Sequence, residues 1–287
     1  MKTAAFDYFR PSMLEEAMEM LARAGESAKV LAGGQTLVPI MAFRLAQPAV
    51  LIDLNRIEGL NYIRDDGEAL SIGAMTRHRD VERSTLVSRH CPLLAQAIRQ
   101  VAHPVIRNRG TAGGSLCHAD PAAEWPTIAI ALRAEIVVRS VRGTRIVAAR
   151  DFFTSLLTTA LMEDEILVEV RLPKMHANTR ASFLEVSRRH GDFALVSVAA
   201  QISTSESGEV EEIRLALGGV GDVPIDASEA AEPIVGQKPS EKQFEKIGAA
   251  VARGLTPPSD IHASPEYRRE VAEGLTVRAL MTASGKQ

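Results

Sequence analysis

Two glycine pairs in similar surroundings are the part of this sequence most suited to chemistry. They occur in the segments VLAGGQTLVP (30–39) and TAGGSL (111–116). A turn lined by glycine exposes backbone N–H groups and lets a ligand approach the main chain closely. Successive N–H groups of this kind bind anions, so a pyrophosphate is a suitable ligand. The neighbouring side chains that can also donate hydrogen bonds are Gln35, Thr36, Thr111 and Ser115.

The established phosphate-binding patterns are absent from this sequence. Neither GxGxxG nor GxxxxGK[ST] occurs in it. Nucleotide binding would therefore need a fold other than the Rossmann or P-loop folds. The residues alone also leave open that both turns are ordinary connections between a strand and a helix.

Metal and hydrolase chemistry lack their usual sequence patterns. The histidines show no HxxxH spacing, and no GxSxG surrounds Ser115. The two cysteines, Cys91 and Cys117, are too few for an iron–sulfur cluster held by four thiolates. We therefore expect no protein-bound metal and no hydrolase triad in this chain.

Size and composition favour a globular protein of two domains. The chain has 287 residues, of which 46% are hydrophobic, and a formal net charge of −3. This balance does not indicate nucleic acid or an anionic membrane as a partner. The apolar runs are far shorter than the roughly 20 residues of a membrane-spanning helix, and no secretory signal is visible. The few cysteines predict reduced thiols and a cytoplasmic location.

The first glycine pair lies in a segment whose apolar pattern alternates between helix and strand. Helices are predicted at 14–24 and 37–45, and strands at 29–31 and 50–54. Together they indicate a small parallel unit of the β–α–β–α–β type within residues 1–57. The first glycine pair would then follow a strand and precede a short helix.

The rest of the chain predicts a larger mixed part and a separate C-terminal part. Residues 58–176 carry two hairpin signals and a helical pattern at 121–132. The stretch 103–126 is dense in Gly, Asn, Asp and Pro, which is typical of a loop. Residues 177–287 predict a three-stranded antiparallel meander followed by two helices. The fold class is therefore α+β.

Two longer segments resemble the FAD-binding medium subunit of molybdenum hydroxylases. They are AGGQTLVPIMAFRLAQP (32–48) and IRNRGTAGGSLCHADPAAEWP (106–126). The likeness is greatest to the medium subunit of aerobic carbon monoxide dehydrogenase and weaker to the FAD domain of xanthine dehydrogenase. A third segment, FLEVSRRHGDFALVSVAA (183–200), resembles the start of that family's C-terminal domain. Either glycine motif alone is weak, but the two in this order are specific.

The resemblance implies a fold, a cofactor and a set of contacts. The fold is a two-subdomain FAD-binding domain of the PCMH type over 1–176, divided into 1–57 and 58–176. A C-terminal α+β domain with a three-stranded antiparallel sheet occupies 177–287. FAD would lie between the two subdomains, with its pyrophosphate held by both glycine turns. The implied cofactor contacts are Lys29, Val30, Leu31, Ala32, Gly33, Gly34, Gln35, Thr36, Leu37, Val101, Ala102, Thr111, Gly113, Gly114, Ser115, Glu124, Ile166, Leu167 and Phe193.

Some of these contacts have specific roles in the resemblance, and two depart from the family pattern. Glu124 matches an acidic position near the cofactor, and Ile166 and Leu167 match an apolar wall. Phe193 stands where some relatives carry Tyr beside the flavin ring, so it can pack on the ring but has no O–H to donate. Ser115 stands where several relatives carry Asn, and its hydroxyl can still donate to a phosphate.

The same resemblance implies a division of labour among subunits. A large partner subunit hydroxylates the substrate at a molybdenum–pterin centre, and a small partner carries two [2Fe–2S] clusters. This chain would be the oxidoreductase subunit whose FAD passes the electrons to an external acceptor, in a dimer of heterotrimers. Two alternatives stay open: a non-catalytic nucleotide-binding or scaffold subunit, and a stand-alone flavin oxidoreductase.

Overall fold

Three β-sheets organise the chain, and the computed structural model describes residues 2–285 of it. The first sheet has three parallel strands in the order β1-β3-β2. Its elements are β1 (Asp7–Phe9), α1 (Leu14–Ala24), β2 (Ala28–Leu31), α2 (Leu37–Ala42) and β3 (Val50–Asp53). The predicted parallel β–α–β–α–β unit is confirmed, although α2 ends at Ala42 rather than at residue 45. Gly25 ends α1 with a φ of 55°, which favours glycine.

The second sheet has five antiparallel strands in the order β4-β5-β10-β6-β7. The strands are β4 (Ile63–Asp65), β5 (Ala69–Gly73), β6 (Glu135–Ser140), β7 (Gly143–Ala148) and β10 (Ile166–Pro173). The helices of this part are α3 (His78–Arg83), α4 (Thr85–His90), α5 (Pro92–Ala97), α6 (Pro104–Arg107), α7 (Ala112–His118), α8 (Glu124–Ala131) and α9 (Ala149–Phe152). A separate hairpin pairs β8 (Phe153–Ser155) with β9 (Thr158–Thr159).

The stretch 103–126, which the composition predicted as a loop, is largely helical. It holds α6, α7 and the start of α8. Thr111 caps α7, because its Oγ1 accepts a hydrogen bond from Gly114 N at 3.1 Å. The glycines of this stretch therefore serve tight packing and helix capping, which composition alone does not distinguish from a loop.

The third sheet is antiparallel and lies in the C-terminal part. Its strands are β11 (Thr179–Ser187), β12 (Ala194–Thr204), β13 (Val210–Gly218) and β14 (Ile225–Asp226), in that order across the sheet. The three long strands are the predicted meander, and the two-residue β14 adds a fourth strand that the sequence did not predict. Two helices follow, α10 (Glu241–Gly254) and α11 (Pro265–Ala283).

Helix α8 joins the two parts of the chain. All eight of its residues are buried, and it contacts β12 and β13 as well as α5 and α7. One apolar core contains residues of β5, α8 and β10 together with Phe183, Ala199 and Ala216 of the C-terminal sheet. Gly218 of β13 lies so near α8 that a Cβ would overlap the hydroxyl of Thr127. The two parts therefore share a core, and the division at residue 176 stays a prediction.

Two acidic side chains meet beside this shared core. Glu124, the first residue of α8, is 5% exposed, and Oε2 of Glu185 in β11 is buried without a hydrogen-bond partner. Burial and the nearby Glu185 carboxyl raise the pKa of Glu124 to about 8. Burial also raises the pKa of Glu185 to about 7. The folded chain therefore holds protons at neutral pH that the unfolded chain releases.

We expect this pair to make the apo-protein less stable as the pH rises from about 4.5 to about 8. In that window the folded state binds more protons than the unfolded state, so the free energy of unfolding falls with pH. Glu124→Gln should remove on the order of 2 kcal/mol of this decrease. Thermal unfolding of the apo-protein across this pH range measures the effect. The control is Glu68→Gln, at an exposed glutamate; equal pH slopes for Glu124→Gln and wild type would contradict the prediction.

Candidate functional site

The turn after β2 carries a row of backbone donors without acceptors. Among the described residues, the N–H groups of residues 33–37 donate to no oxygen, and the first bond of α2 runs from Val38 N to Gly34 O at 3.2 Å. Gly34 has a φ of 73°, and Gly33 is buried. Partly buried N–H groups are nearly always paired in proteins. This run of free donors therefore has the character of an anion-binding nest.

The two glycine turns lie directly against each other. A Cβ on Gly33 would overlap the carbonyl oxygen of Arg109 and would lie 2.9 Å from the Cα of Gly110. A Cβ on Gly114 would lie 3.7 Å from the Cβ of Ala32. The structure thus brings together the two segments that the sequence singled out, and the contact requires glycine at position 33.

The second turn differs from the first in the use of its backbone donors. Ala112 N donates to Thr76 O at 3.0 Å, and Gly113 N donates to Ala74 O at 2.9 Å. Gly114 N and Ser115 N donate to the side chain and carbonyl of Thr111. The expectation of free amides in both turns is therefore wrong for the second turn, because α7 begins there and its first donors are taken up by Thr111 and by the segment that follows β5. The Ser115 hydroxyl has no hydrogen-bond partner within residues 2–285.

Two polar residues that the sequence did not indicate connect the turns. Asn55 Nδ2 donates to Ala32 O at 2.9 Å, and Arg77 donates to both Asn55 Oδ1 and Arg109 O. Asn55 lies two residues beyond Asp53, the last residue of β3, at the carboxyl end of a parallel strand. Ligand sites of parallel sheets form at that edge, so the position of Asn55 was a usable signal. Arg77 carried no comparable signal.

A buried histidine supports the second turn from behind. His78 N donates to Gly110 O at 3.0 Å, and the His78 Nδ1 atom accepts from Trp125 Nε1 at 3.1 Å. Burial, with the nearby charges of Arg107 and Arg77, lowers the pKa of His78 to about 3. The imidazole is therefore neutral and carries its proton on Nε2. A Cβ at Gly110 would lie 2.6 Å from this ring, so the histidine and the glycine fit each other.

Val101 and Ala102, which were predicted to contact the cofactor, lie in a segment with an unusual backbone conformation. Ala102 has a φ of 44°, and the buried Arg107 donates to the carbonyls of Val101 and Ala102 at 2.9 and 2.8 Å. The loop that carries Phe193 lies against the same segment, since a Cβ at Gly191 would lie 2.6 Å from the ring of His103. The side chain of Phe193 is 56% exposed.

The remaining predicted contacts are distributed unevenly. Lys29, Val30 and Leu31 lie on β2, with Lys29 exposed. Ile166 and Leu167 are each 3% exposed, and their side chains belong to two different cores. Neighbouring residues of a strand face opposite sides of the sheet. The two side chains therefore cannot line one cleft together, and the apolar wall expected from both is not supported.

The described part of the chain shows no cluster of three or more His, Cys, Asp or Glu side chains that could hold a metal ion. Within residues 2–285, the helices are also too short or too polar to cross a bilayer.

Known proteins match nearly the whole chain. Residues 4–175 match the family model described as the FAD binding domain in molybdopterin dehydrogenase. Residues 181–283 match the CO dehydrogenase flavoprotein C-terminal domain. The chain is 37% identical to the 6-hydroxypseudooxynicotine dehydrogenase complex subunit alpha of Paenarthrobacter nicotinovorans, over 99% of this chain and 96% of that protein.

Solved structures agree with these matches. A chain of carbon monoxide dehydrogenase from Hydrogenophaga pseudoflava superimposes with a TM-score of 0.96 at 35% identity, over 99% of both chains. A chain of quinoline 2-oxidoreductase from Pseudomonas putida 86 gives a TM-score of 0.94 at 37% identity, again over 99% of both chains. These matches show that the chain belongs to the family of FAD-binding medium subunits of molybdenum hydroxylases and is an oxidoreductase subunit.

Proposed function

We propose that this chain holds FAD between its two glycine turns and is the electron-transfer component of a molybdenum hydroxylase complex. Electrons would arrive from [2Fe–2S] clusters of a small partner subunit and leave to an external acceptor. The observation that carries the proposal is the row of unpaired N–H groups at residues 33–37, which lies against the second turn.

The site fits the pyrophosphate of FAD. Five consecutive backbone donors without acceptors among the described residues suit an anion with several oxygens. Arg77 and Arg109 add positive charge nearby. In this proposal residues 33–37 and the Ser115 hydroxyl hold the pyrophosphate. FAD, when bound, supplies the capacity to accept and release electrons one or two at a time.

Other residues would position the rest of the cofactor. Lys29, Val30, Leu31, Val101 and Ala102 would border the adenosine and ribityl portions, with Arg107 holding the last two in place. Glu124 would offer its buried carboxyl to cofactor hydroxyls; protonated, it can also donate. Phe193 would cover the flavin ring with an apolar face and restrict the access of water.

The names of two relatives support an assembly of several subunits. One is a dehydrogenase complex subunit alpha, and another is the nicotine 6-hydroxylase medium subunit of Paenarthrobacter nicotinovorans. We propose a large molybdenum–pterin subunit and a small [2Fe–2S] subunit as partners, arranged as a dimer of heterotrimers. In this arrangement the large subunit selects the substrate, and this chain serves only the passage of electrons.

Mixing the chain with the proposed small subunit tests electron transfer without knowledge of the substrate. The small subunit is reduced chemically and mixed without oxygen with the FAD-loaded full chain, and the yellow absorbance of the flavin is followed in time. The proposal expects rapid loss of the yellow colour. A chain that binds FAD but never loses its colour would favour the scaffold alternative, and a chain that binds no FAD would contradict the proposal outright.

Branched side chains at the two turns should abolish the retention of FAD. Gly33→Val places carbon atoms against Arg109 O, and Gly114→Val places them 2.7 Å from Thr111 Oγ1. We expect the affinity for FAD to fall at least about 100-fold, or roughly 2.7 kcal/mol. The bound flavin is measured per chain after gel filtration. Gly274→Val is the matched control, because that glycine is exposed and has open space around it; unchanged flavin content in both test variants would refute the placement.

A hydroxyl at position 193 should change the reactivity of the flavin and leave its binding intact. Phe193→Tyr adds one hydrogen-bond donor, worth about 1 kcal/mol, so we expect a severalfold change in the rate of flavin reoxidation. FAD affinity should stay within about twofold. Phe43→Tyr is the control, since Phe43 is 63% exposed on a different part of the chain. Identical reoxidation rates for Phe193→Tyr and wild type would show that residue 193 lies away from the flavin ring.

A further inference from the structure

Asp53, the last residue of β3, holds Asn55 in place through its buried carboxylate. Asp53 is 5% exposed, and its Oδ1 accepts from Asn55 N at 2.8 Å and also from Asn55 Nδ2. Its other oxygen accepts from the hydroxyl of Tyr8 and lies 3.6 Å from Arg10 Nε. Because the Asp53 carboxylate holds both the backbone and the side chain of Asn55, the amide of Asn55 has one defined orientation.

From Asn55 the polar contacts continue to both glycine turns. Asn55 Nδ2 donates to Ala32 O, which directly precedes Gly33. Asn55 Oδ1 accepts from Arg77, which also donates to Arg109 O. That carbonyl is the atom that a Cβ at Gly33 would overlap. Each turn is therefore held at one backbone carbonyl. Asn55 binds the carbonyl of Ala32, and Arg77 binds the carbonyl of Arg109.

The two side-chain types suit this arrangement for a chemical reason. A carboxamide both donates and accepts, so Asn55 can serve Ala32 and Arg77 at once. A guanidinium is a planar fork of N–H donors that can bond two separate acceptors, which an ammonium on a flexible stem does less well. Neither link needs help from the cofactor, so the spacing of the turns is set before FAD binds.

The charge of Arg77 is only partly compensated in the apo-protein. Burial and the nearby Arg109 lower the pKa of Arg77, whereas Asp80 and Asp53 act in the opposite direction. A half-buried guanidinium beside a second one is stabilised by an anion placed between the turns. The location of this charge therefore agrees with a pyrophosphate held at the first turn.

We propose that Asn55 and Arg77 are positioning residues, which lock the two glycine turns at the spacing that the pyrophosphate of FAD requires. This inference rests on the proposed placement of FAD. Neither residue is among the predicted cofactor contacts. Both act by holding the free backbone N–H groups of residues 33–37 in the orientation that binds the pyrophosphate. Preorganisation raises affinity because the ordering cost is met before binding.

Three variants of the full chain test the pair through FAD affinity, measured by titration of the apo-protein. Arg77→Met removes the hydrogen bonds of Arg77 to Asn55 Oδ1 and to Arg109 O and leaves the bond from Asn55 to Ala32 O. Asn55→Asp keeps an oxygen for Arg77 but loses the donor to Ala32. Both should bind FAD at least about tenfold more weakly. Arg79→Met is the matched control, because Arg79 lies in the first turn of α3, two residues beyond Arg77, and is exposed. Within residues 2–285 its side chain hydrogen-bonds only Asn108 Oδ1, at 3.2 Å. This variant loses the same charge and should bind FAD within about twofold of wild type.

Phosphorus NMR of bound FAD separates positioning from a general structural role. Arg77→Lys keeps the positive charge but not the two-acceptor geometry. At saturating FAD, the two phosphorus resonances of this variant should move away from their wild-type positions, whereas those of Arg79→Lys should not. A role confined to overall stability would lower the unfolding temperature of the apo-protein and leave the resonances unchanged. The Lys variant also decides the question if Arg77→Met does not fold.

The outcomes distinguish failure of this inference from failure of the proposed site. If Gly33→Val loses FAD while Arg77→Met and Asn55→Asp bind it within about twofold of wild type, the positioning role is refuted and the placement of FAD stands. If Gly33→Val and Gly114→Val also keep FAD, the pyrophosphate lies elsewhere, and both proposals fall. Weaker binding in both test variants, with displaced resonances in Arg77→Lys, supports the positioning role.

Discussion

The architecture of the site depends on the contact of two backbone segments at Gly33 and Arg109. No atom larger than hydrogen fits on the α-carbon at position 33, because the Arg109 carbonyl occupies the space. That contact brings the end of a parallel strand against the segment that leads into α7. The first turn can then keep its amides free of internal acceptors, since its place in the fold is determined by packing and by side-chain links to its carbonyl. A nest of neutral donors is thereby maintained without a buried positive charge at its centre.

The two glycine pairs look alike in sequence but serve different physical needs. In the first pair, Gly33 permits the close backbone contact and Gly34 adopts a positive φ of 73°. In the second pair, Gly113 packs against Ala74, and Gly114 donates to its own capping threonine. Within residues 2–285, the first pair leaves its backbone donors unpaired, whereas those of the second pair have acceptors. The likeness of the two pairs is therefore one of residue type, and a hold on the pyrophosphate by both turns stays a prediction.

The sequence predicted the elements with strong local signals and failed where tertiary contacts decide. The parallel N-terminal unit, the hairpins and the C-terminal meander follow from apolar periodicity and turn residues, and all three are present. The helices at 104–107 and 112–118 were missed, because glycine and asparagine have low helix propensity and packing partners such as Ala74 lie far away in sequence. Resemblance to a family supplied the cofactor and the contacts predicted for it. It could not supply Asn55 and Arg77, since their role arises from hydrogen bonds between distant segments, and it suggested a shared wall at Ile166 and Leu167 that strand alternation forbids.

Helix α8, buried between the second sheet and the C-terminal sheet, has a further consequence for the exchange of a bound nucleotide. The glycine turns belong to the N-terminal part, whereas Phe193 is carried by the connection between two strands of the C-terminal sheet. Because the two parts share one core through α8, they cannot separate as rigid bodies about a hinge without exposing apolar side chains to water. A nucleotide held by the glycine turns and covered by Phe193 would then leave through local motion of surface loops. Slow release would then be a property of the fold itself, independent of how tightly any single group is bound.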